Sequence, residues 1–409
     1  MKAITVLQNK KIVLGVTGSI ACYKVVDLAS KLTQAGALVD VVVTESAQQF
    51  VTPLAFRSVT GRPVFTDMWS LEEHVRHVGL GETADLLLVA PATAHTMAKL
   101  AQGLADNLLT VTALAARCPL LVAPAMDGGM YGHPATQANV ALLEERGATI
   151  LGPAEGRMAS GLVGKGRMLE PAELLAQIRL ALGRQGVLNG RSVVVSTGPT
   201  REPLDPVRFI SNRSTGKQGL AVAQAALDAG ANVTLVHGPI TEPIPLGVTA
   251  VPVQTTAEMA EAILTAVNGV DALFMVAAVA DFRPVNRSDQ KIKKTKMDEW
   301  GQAIGLEVTL DILSAVKEQR EHSGFPHVSL GFAAETQDAF EYGRGKLLRK
   351  GLDFIAINDV TAAGAGFAVD TNRVLLLGVE GVVEEMGLLS KTAVAERLVA
   401  HVAAALDER

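Results

Sequence analysis

The sequence predicts an α/β protein built of two doubly wound, Rossmann-like domains with mainly parallel sheets, and three observations carry that prediction. At 409 residues the chain is too long for one ordinary hydrophobic core. Continuous apolar runs such as KIVLGV, ADLLLVAP and DALFMVAA have the character of strands buried on both faces. These runs alternate with amphipathic stretches in both halves, which is the rhythm of βαβ units.

In the first half, strands are predicted over residues 11–16, 38–43, 85–90 and 120–123, with a helix over 20–34. After a helical stretch at 173–182, the segment GRQGVLNGR bears no core residue at either the helical or the strand period. Residues 183–190 are therefore expected to link a first domain, 1–182, to a second, 191–409. In the second half, strands are predicted over 192–196, 232–236, 271–276, 327–332 and 353–357, and helices over 219–229, 257–267 and 338–349. Ligands of such sheets belong beyond the carboxyl ends of the strands.

Composition narrows the partners. A mean hydropathy of +0.27 is high, yet every apolar run is cut by a charge, Pro or Gly well before bilayer-spanning length, so no membrane partner is expected. The start, MKAITVLQNKK, has no small-residue cleavage site, and a cytoplasmic location is expected. Lys and Arg number 37 against 42 Asp and Glu, for a net charge of -5, and no basic stripe with interleaved aromatics appears, so nucleic acid is not expected. Cys22 and Cys118 form no CxxC pair and indicate neither a disulfide framework nor a zinc site.

The turn GVTGSIACYK places Gly15, Gly18 and Ser19 between a strand and a helix, where free N–H groups and the helix dipole favour a phosphate; a plain tight turn accounts for it equally. Thr44 ends the next strand and serves either that anion site or a helix N-cap. The two following strand ends are richer: APATAHTMAKLAQGLADNLLT and APAMDGGMYGHPAT. His74 and His77 have helical spacing for a metal pair, but no third ligand accompanies them.

With HVGLGETADLLLVAPATA, these segments resemble the homo-oligomeric flavin-containing cysteine decarboxylases over about residues 11–170. The resemblance implies that Gly18, Ser19 and Thr44 hold FMN, with Ala90, Pro91, Thr93, Asp106 and Asn107 around its ring, and that His77 is the catalytic base. Loss of CO₂ from a cysteine needs an electron sink, which is the role of a flavin there. The family motif PxMNxxMW reads PAMDGGMY here. Met126 and Asp127 thus fall in the substrate-binding segment, with Asp127 where the family has an Asn for the substrate carboxylate and Tyr131 where it has Trp. The substrate loop ACGxxGxGRM reads ASGLVGKGRM, so Ser160 stands at the position of the proton-donating Cys.

The second half opens with STGPTREPLDPVRFISNRSTGKQG after a strand. STGKQG lacks the first Gly and the final Ser/Thr of a P-loop. AAVADFRP puts Asp281 beyond another strand end, where a carboxylate can accept from a ribose or carry a metal-bound water. KIKKTK reads as a solvated loop, or, with Lys346 and Lys350 four residues apart on one helix, as cations converging on a polyanion. Together these motifs resemble phosphopantothenate–cysteine ligase along nearly all of 191–408. That resemblance implies that Asn212 acts on an acyl-nucleotide intermediate and that CTP is contacted by Met275, Val276, Ala277, Asp281, Lys291, Phe332, Lys346 and Lys350. The family's NPDI segment reads TLDI here and adds Thr309, Leu310, Asp311 and Ile312.

The two resemblances imply consecutive reactions of coenzyme A biosynthesis. 4'-Phosphopantothenate, CTP with Mg²⁺, and cysteine give phosphopantothenoylcysteine, which the flavin domain decarboxylates to 4'-phosphopantetheine. They also imply a homo-oligomer, with trimers of the flavin domain and dimers of the ligase domain. Asp127 and Ser160 favour an alternative in which the first half is a non-catalytic flavin-binding scaffold, and His77 opposes it. Neither half has the GxGxxG of a nicotinamide-dependent oxidoreductase.

Overall fold

The computed structural model describes residues 4–69, 76–158, 161–293, 304–335, 339–359, 366 and 369–409. It divides into two units, Met1–Leu182 and Gly183–Arg409.

The first unit runs β1 (Lys11–Val16), α1 (Cys22–Gln34), β2 (Leu38–Val43), α2 (Pro53–Thr60), β3 (Val64–Phe65), α3 (Arg76–Thr83), β4 (Leu86–Ala92), α4 (Ala94–Gln102) and α5 (Leu108–Ala115). It continues with β5 (Leu120–Pro124), α6 (Gly128–Tyr131), α7 (Pro134–Glu145), β6 (Thr149–Ile150), the antiparallel ribbon β7 (Ala154–Arg157) and β8 (Val163–Arg167), and α8 (Pro171–Gly183). The six strands of the main sheet are all parallel, in the order β3-β2-β1-β4-β5-β6.

Burial on both faces explains why its strands read as continuous apolar runs. Ile12, Leu14 and Val16 pack with Val25, Leu28 and Leu32 of α1 and with Leu174 and Ile178 of α8. Val13, pointing the other way, joins Met97 of α4, Leu108 and Leu109 of α5 and Leu143 of α7. The predicted helix at 20–34 begins at Cys22, because exposed Ile20 belongs to the turn.

The second unit begins with β9 (Ser192–Thr197), the antiparallel pair β10 (Arg201–Pro203) and β11 (Phe209–Ser211), α9 (Lys217–Asp228), β12 (Asn232–His237), β13 (Thr249–Pro252) and α10 (Thr256–Ala266). Next come β14 (Ala272–Met275), a second ribbon of β15 (Phe282–Pro284) and β16 (Leu306–Val308), α11 (Ile312–Ser323), β17 (Val328–Glu335) and α12 (Ala339–Lys350). The chain ends in β18 (Phe354–Asp359), β19 (Thr371–Gly378), β20 (Gly381–Ser390) and α13 (Lys391–Asp407). The main sheet has the order β13-β12-β9-β14-β17-β18-β19-β20. It is parallel as far as β18, and β19 and β20 extend it antiparallel, an edge the apolar runs did not reveal. The segment 183–190, expected as a linker without core residues, packs on the second unit: Leu188 is buried and its N–H donates to Ala229 O at 2.7 Å.

Both sheets are wound outward in two directions from a central pair, β1/β4 and β9/β14, so a crevice opens beyond the carboxyl ends of each pair. A buried hydroxyl crosses each one. Thr17 Oγ1 donates to Pro91 O at 2.6 Å and accepts from Thr93 N at 3.1 Å. Ser196 Oγ accepts from Val276 N at 3.0 Å and Ala277 N at 3.1 Å. At the opposite ends a carboxylate does the matching work: Asp85 accepts from Lys11 N and Asp271 from Ser192 N, each at 2.8 Å.

Replacing Thr17 unpairs the buried Pro91 O and the half-buried Thr93 N, and replacing Ser196 unpairs the half-buried Val276 and Ala277 N–H groups, at up to about 1–3 kcal/mol per group. Thr17→Val and Ser196→Ala are expected to lower stability in urea titrations, Thr17→Val the more because Pro91 O is buried. Wild-type transition midpoints for both variants would show that the crossings are incidental.

Candidate functional site

The second unit carries a cleft of ≈ 530 Å³ at the carboxyl ends of β9, β14, β17 and β18. Most of the residues singled out from sequence converge on it: Asn212, Met275, Val276, Ala277, Asp281, Thr309, Leu310, Asp311, Ile312, Phe332, Lys346 and Lys350. Lys291 does not line the cleft; it lies on an exposed loop beside Ile292. Asn212 is fixed through Nδ2, which donates to Ala278 O at 3.1 Å and Val279 O at 2.9 Å, so its Oδ1 remains as an acceptor at the cleft wall. Thr309 replaces the expected Asn and ties its segment to the strand end, its hydroxyl donating to Ala280 O at 2.6 Å and its N–H to Asp281 O at 2.9 Å.

The lysines are held by partners on the cleft wall. Lys346 Nζ donates to Phe332 O at 3.1 Å. Lys350 Nζ meets the Asp311 carboxylate and donates to Ser314 Oγ at 3.0 Å. Asp311 is also the N-cap of α11, accepting from Ser314 N at 3.1 Å. Burial pushes the Asp311 carboxyl up, but the Lys350 ammonium and the cap bond outweigh it and leave the group below the ordinary carboxylate range.

The other wall was not found from sequence. Gly216, with φ +79°, starts α9 without any side-chain cap, so the first N–H groups of a 12-residue helix face an open space. Gly219 lets α9 approach closely, since a Cβ there would stand 2.4 Å from Thr197 Cβ. Lys217 and Lys391 both line the cleft. Burial, then the nearby Lys217 charge, pushes the Lys391 ammonium below the usual lysine range, with Asp370 opposing. Asn358 Oδ1 is buried without a hydrogen-bond partner and lines the same space. The STGKQG turn signalled the helix start once the P-loop was set aside. Nothing local marked Asn358 or Lys391.

In the first unit, the β1–α1 turn gathers hydroxyls. Ser19 Oγ accepts from Ala21 N at 3.4 Å, and Thr44 Oγ1 donates to Val16 O at 3.1 Å and lies 3.4 Å from Ser46 Oγ. A Cβ on Gly18 would sit 2.7 Å from Ser46 Oγ, and α1 starts without a side-chain cap. This cluster of hydroxyls at the start of α1 fits a phosphate, although Ala21 N and Cys22 N are already bonded to Ser19. Ala90 and Pro91 lie just before the end of β4 at Ala92, across the crevice, and Thr93 caps α4, its Oγ1 accepting from Thr96 N at 3.2 Å. Asn107 caps α5 through Thr110 N at 3.0 Å. Lys99 Nζ bonds Asp106 Oδ2 at 2.6 Å and holds that carboxyl below its ordinary range.

Asp127 begins α6, accepting from Gly129 N at 3.0 Å, and lines an open groove with Tyr131, Met158 and Lys165. Met126 N donates to Gly166 O at 3.0 Å, which fixes the groove floor to β8. Burial raises the Tyr131 phenol above its ordinary range. His77 lies on α3. Ser160 and His74 lie outside the described residues. Among the described residues no three His, Cys, Asp or Glu side chains gather to hold a metal, and no helix is long and apolar enough to cross a membrane.

The family model described as DNA/pantothenate metabolism flavoprotein C-terminal domain matches residues 188–406, and the one described as Flavoprotein matches 3–183. The chain is 43% identical over 403 residues to the coenzyme A biosynthesis bifunctional protein CoaBC of Bacillus subtilis, covering 97% of this chain and 98% of that one. To CoaBC of Vibrio cholerae it is 44% identical over 391 residues, covering 95% and 96%. Among solved structures, the C-terminal domain of a CoaBC protein aligns at 35% identity with a TM-score of 0.47, covering 55% of this chain and 100% of that one.

The pairing of Lys350 with Asp311 gives a direct test of the cleft. Asp311→Asn keeps a good N-cap for α11 and removes the carboxylate that competes for the lysine. It should tighten binding of inorganic tripolyphosphate roughly three- to tenfold at low salt, with the gain shrinking at high salt, as read by calorimetry. Unchanged affinity would remove Lys350 from the anion site.

Proposed function

The chain belongs to the bifunctional CoaBC family of coenzyme A biosynthesis and is an enzyme of that pathway, and from this we propose that its second unit joins 4'-phosphopantothenate to cysteine with CTP and its first decarboxylates the product with FMN. The observation that carries the ligase half is the convergence of Asn212, Lys346, Lys350 and the uncapped start of α9 on one cleft. A triphosphate needs several cations and free N–H groups, and this cleft offers both on opposite walls. The nucleotide lies over the carboxyl ends of β14 and β17, with its phosphates toward Gly216 and Lys217; the unpaired Asn358 Oδ1 suits a hydroxyl or amino donor of the ligand and not a phosphate oxygen. The substrate carboxylate attacks the α-phosphorus, the bond to pyrophosphate breaks, and an acyl-cytidylate forms. The cysteine amine then attacks the acyl carbon and CMP leaves. Asn212 Oδ1, its orientation set by the two Nδ2 bonds, accepts from that amine and aims it. Mg²⁺ arrives with the nucleotide, and no protein ligand is assigned to it.

In the first unit, Gly18, Ser19 and Thr44 hold the phosphate of FMN, while Ala90, Pro91, Thr93, Asp106 and Asn107 border the ring. When bound, the flavin supplies the two-electron chemistry that makes CO₂ a leaving group. His77 takes the thiol proton. Met126 and Asp127 border the substrate carboxylate, and Lys165, on the same groove, offsets the repulsion between two carboxylates. Ser160 stands where the family has a thiol, and an alcohol is a weaker acid by several pKa units. The enzyme works in the cytoplasm as a homo-oligomer of flavin-unit trimers and ligase-unit dimers.

Asn212→Ala should still release pyrophosphate from CTP but form the cysteine adduct roughly 10²-fold more slowly, in line with removal of one transition-state contact. Equal loss of both half-reactions would move Asn212 out of the second step. His77→Asn should retain bound flavin, seen by its absorbance, and lose CO₂ release. If wild-type protein itself releases no CO₂ from phosphopantothenoylcysteine, the first unit is a scaffold. Ser160→Cys should speed appearance of 4'-phosphopantetheine without changing CO₂ release; identical product time courses by mass spectrometry would mean that another group donates the proton.

A further inference from the structure

Asp205, in the connection between β10 and β11, has a fully buried side chain although it sits in a surface turn. One oxygen accepts from Val207 N and Arg208 N at 2.8 Å each. The other accepts from Arg208 Nε at 2.9 Å and from Ile292 N at 3.1 Å. Arg208 Nη2 in turn donates to Ile292 O at 2.9 Å. A single ion pair thus takes both backbone polar groups of Ile292, the residue directly after Lys291.

The stretch between β15 and residue 293 has no ladder bonds of its own. Its other backbone anchors are Val285 N to Gly305 O and Ser288 N to Leu204 O, each at 3.0 Å, the second again on this turn. The Arg208 guanidinium, first, and the three backbone N–H groups keep the Asp205 carboxyl far below its ordinary range, so the clasp is intact throughout the neutral range. A lysine side chain loses about 2 kcal/mol of rotamer freedom when immobilised, so its effectiveness as a phosphate contact depends on how well its backbone is aimed.

We propose that Asp205 is a positioning residue for Lys291, holding that lysine's backbone at the register its nucleotide contact requires through the bond to Ile292 N and through Arg208. The inference rests on the reading, implied by the resemblance to the ligase family, that Lys291 serves the nucleotide, its side chain reaching in from a loop outside the cleft lining. It assigns Asp205 no contact with substrate.

The test is a double-mutant cycle on the full chain, read as kcat/KM for CTP in pyrophosphate release, with thermal melts in parallel. Asp205→Asn keeps the size of the side chain but removes the charge that clasps Arg208. It should lower kcat/KM roughly tenfold alone and less than twofold in the Lys291→Gln background, while its shift in melting temperature is the same in both. A tenfold loss in both backgrounds, or none in either while Lys291→Gln is impaired, overturns the positioning role alone. If Lys291→Gln behaves as wild type, the nucleotide role of Lys291 falls and takes the inference with it. Should Asp205→Asn fail to fold, Arg208→Lys loosens the same clasp while keeping its charge, and the same cycle is read with it.

Discussion

Everything functional in this chain depends on keeping two neighbouring parallel strands together at the place where the sheet changes winding direction. Beyond the carboxyl ends of β1 and β4, or of β9 and β14, the connections leave toward opposite faces and the ladder cannot continue. Backbone groups there are buried or half-buried, so a partner stabilises each. Thr17 and Ser196 supply it from the strand or its immediate end, with a hydroxyl small enough to leave the crevice open. The same side chain that satisfies the backbone therefore fixes the floor of the site.

The ligase cleft is a set of cations already engaged. Lys346 sits on a carbonyl, Lys350 on a carboxylate and Lys217 on Asp370, with bonds that an arriving polyphosphate can replace. Such temporary partners avoid the cost of uncompensated charge in a partly buried cleft. They also mean that binding is an exchange of partners, worth the difference between two ion pairs. Asn358 differs: its buried oxygen has no partner to give up, so the gain from a donor there is undiluted.

The strands and their functional ends were legible because a strand buried on both faces must be apolar along its length, and the residues just past it must be polar and turn-forming. LLLVAPA, followed by Thr93, shows both at once, whereas ALFM shows the apolar run alone, its first polar residue being Asp281. The edge strand β20 escaped because Glu384 and Glu385 break its apolar run and much of it is exposed, and β19, whose run VLLLG is continuous, escaped because it forms a hairpin with β20 outside the strand–helix alternation. Leu188 was missed for a related reason: one buried residue in a Gly-rich stretch has no period. Lys391 and Asn358 could not be found locally, since the first starts the last helix and the second ends an inner strand, and only the winding of the sheet brings them to α9. Lys291 shows the reverse case, a motif residue that is not among those lining the cleft and sits on an exposed loop held by the Asp205–Arg208 pair.

Two units with one architecture can therefore carry unlike chemistry because the scaffold decides only where a ligand sits. The identity of that ligand is set by the first residues past the strand. After β1 come Gly18, Ser19 and, from the next strand, Thr44, a neutral set suited to one phosphate group with the rest of a cofactor lying along β4. After β9 the chain inserts the β10–β11 hairpin before returning to α9, and that detour delivers Asn212 to the cleft and brings Lys217 to the helix start. A triphosphate with a leaving group needs that extra charge, and a tightly held cofactor does not. The same detour carries Asp205 and Arg208, so the insertion that brings Asn212 and Lys217 to the cleft also holds the loop on which Lys291 sits.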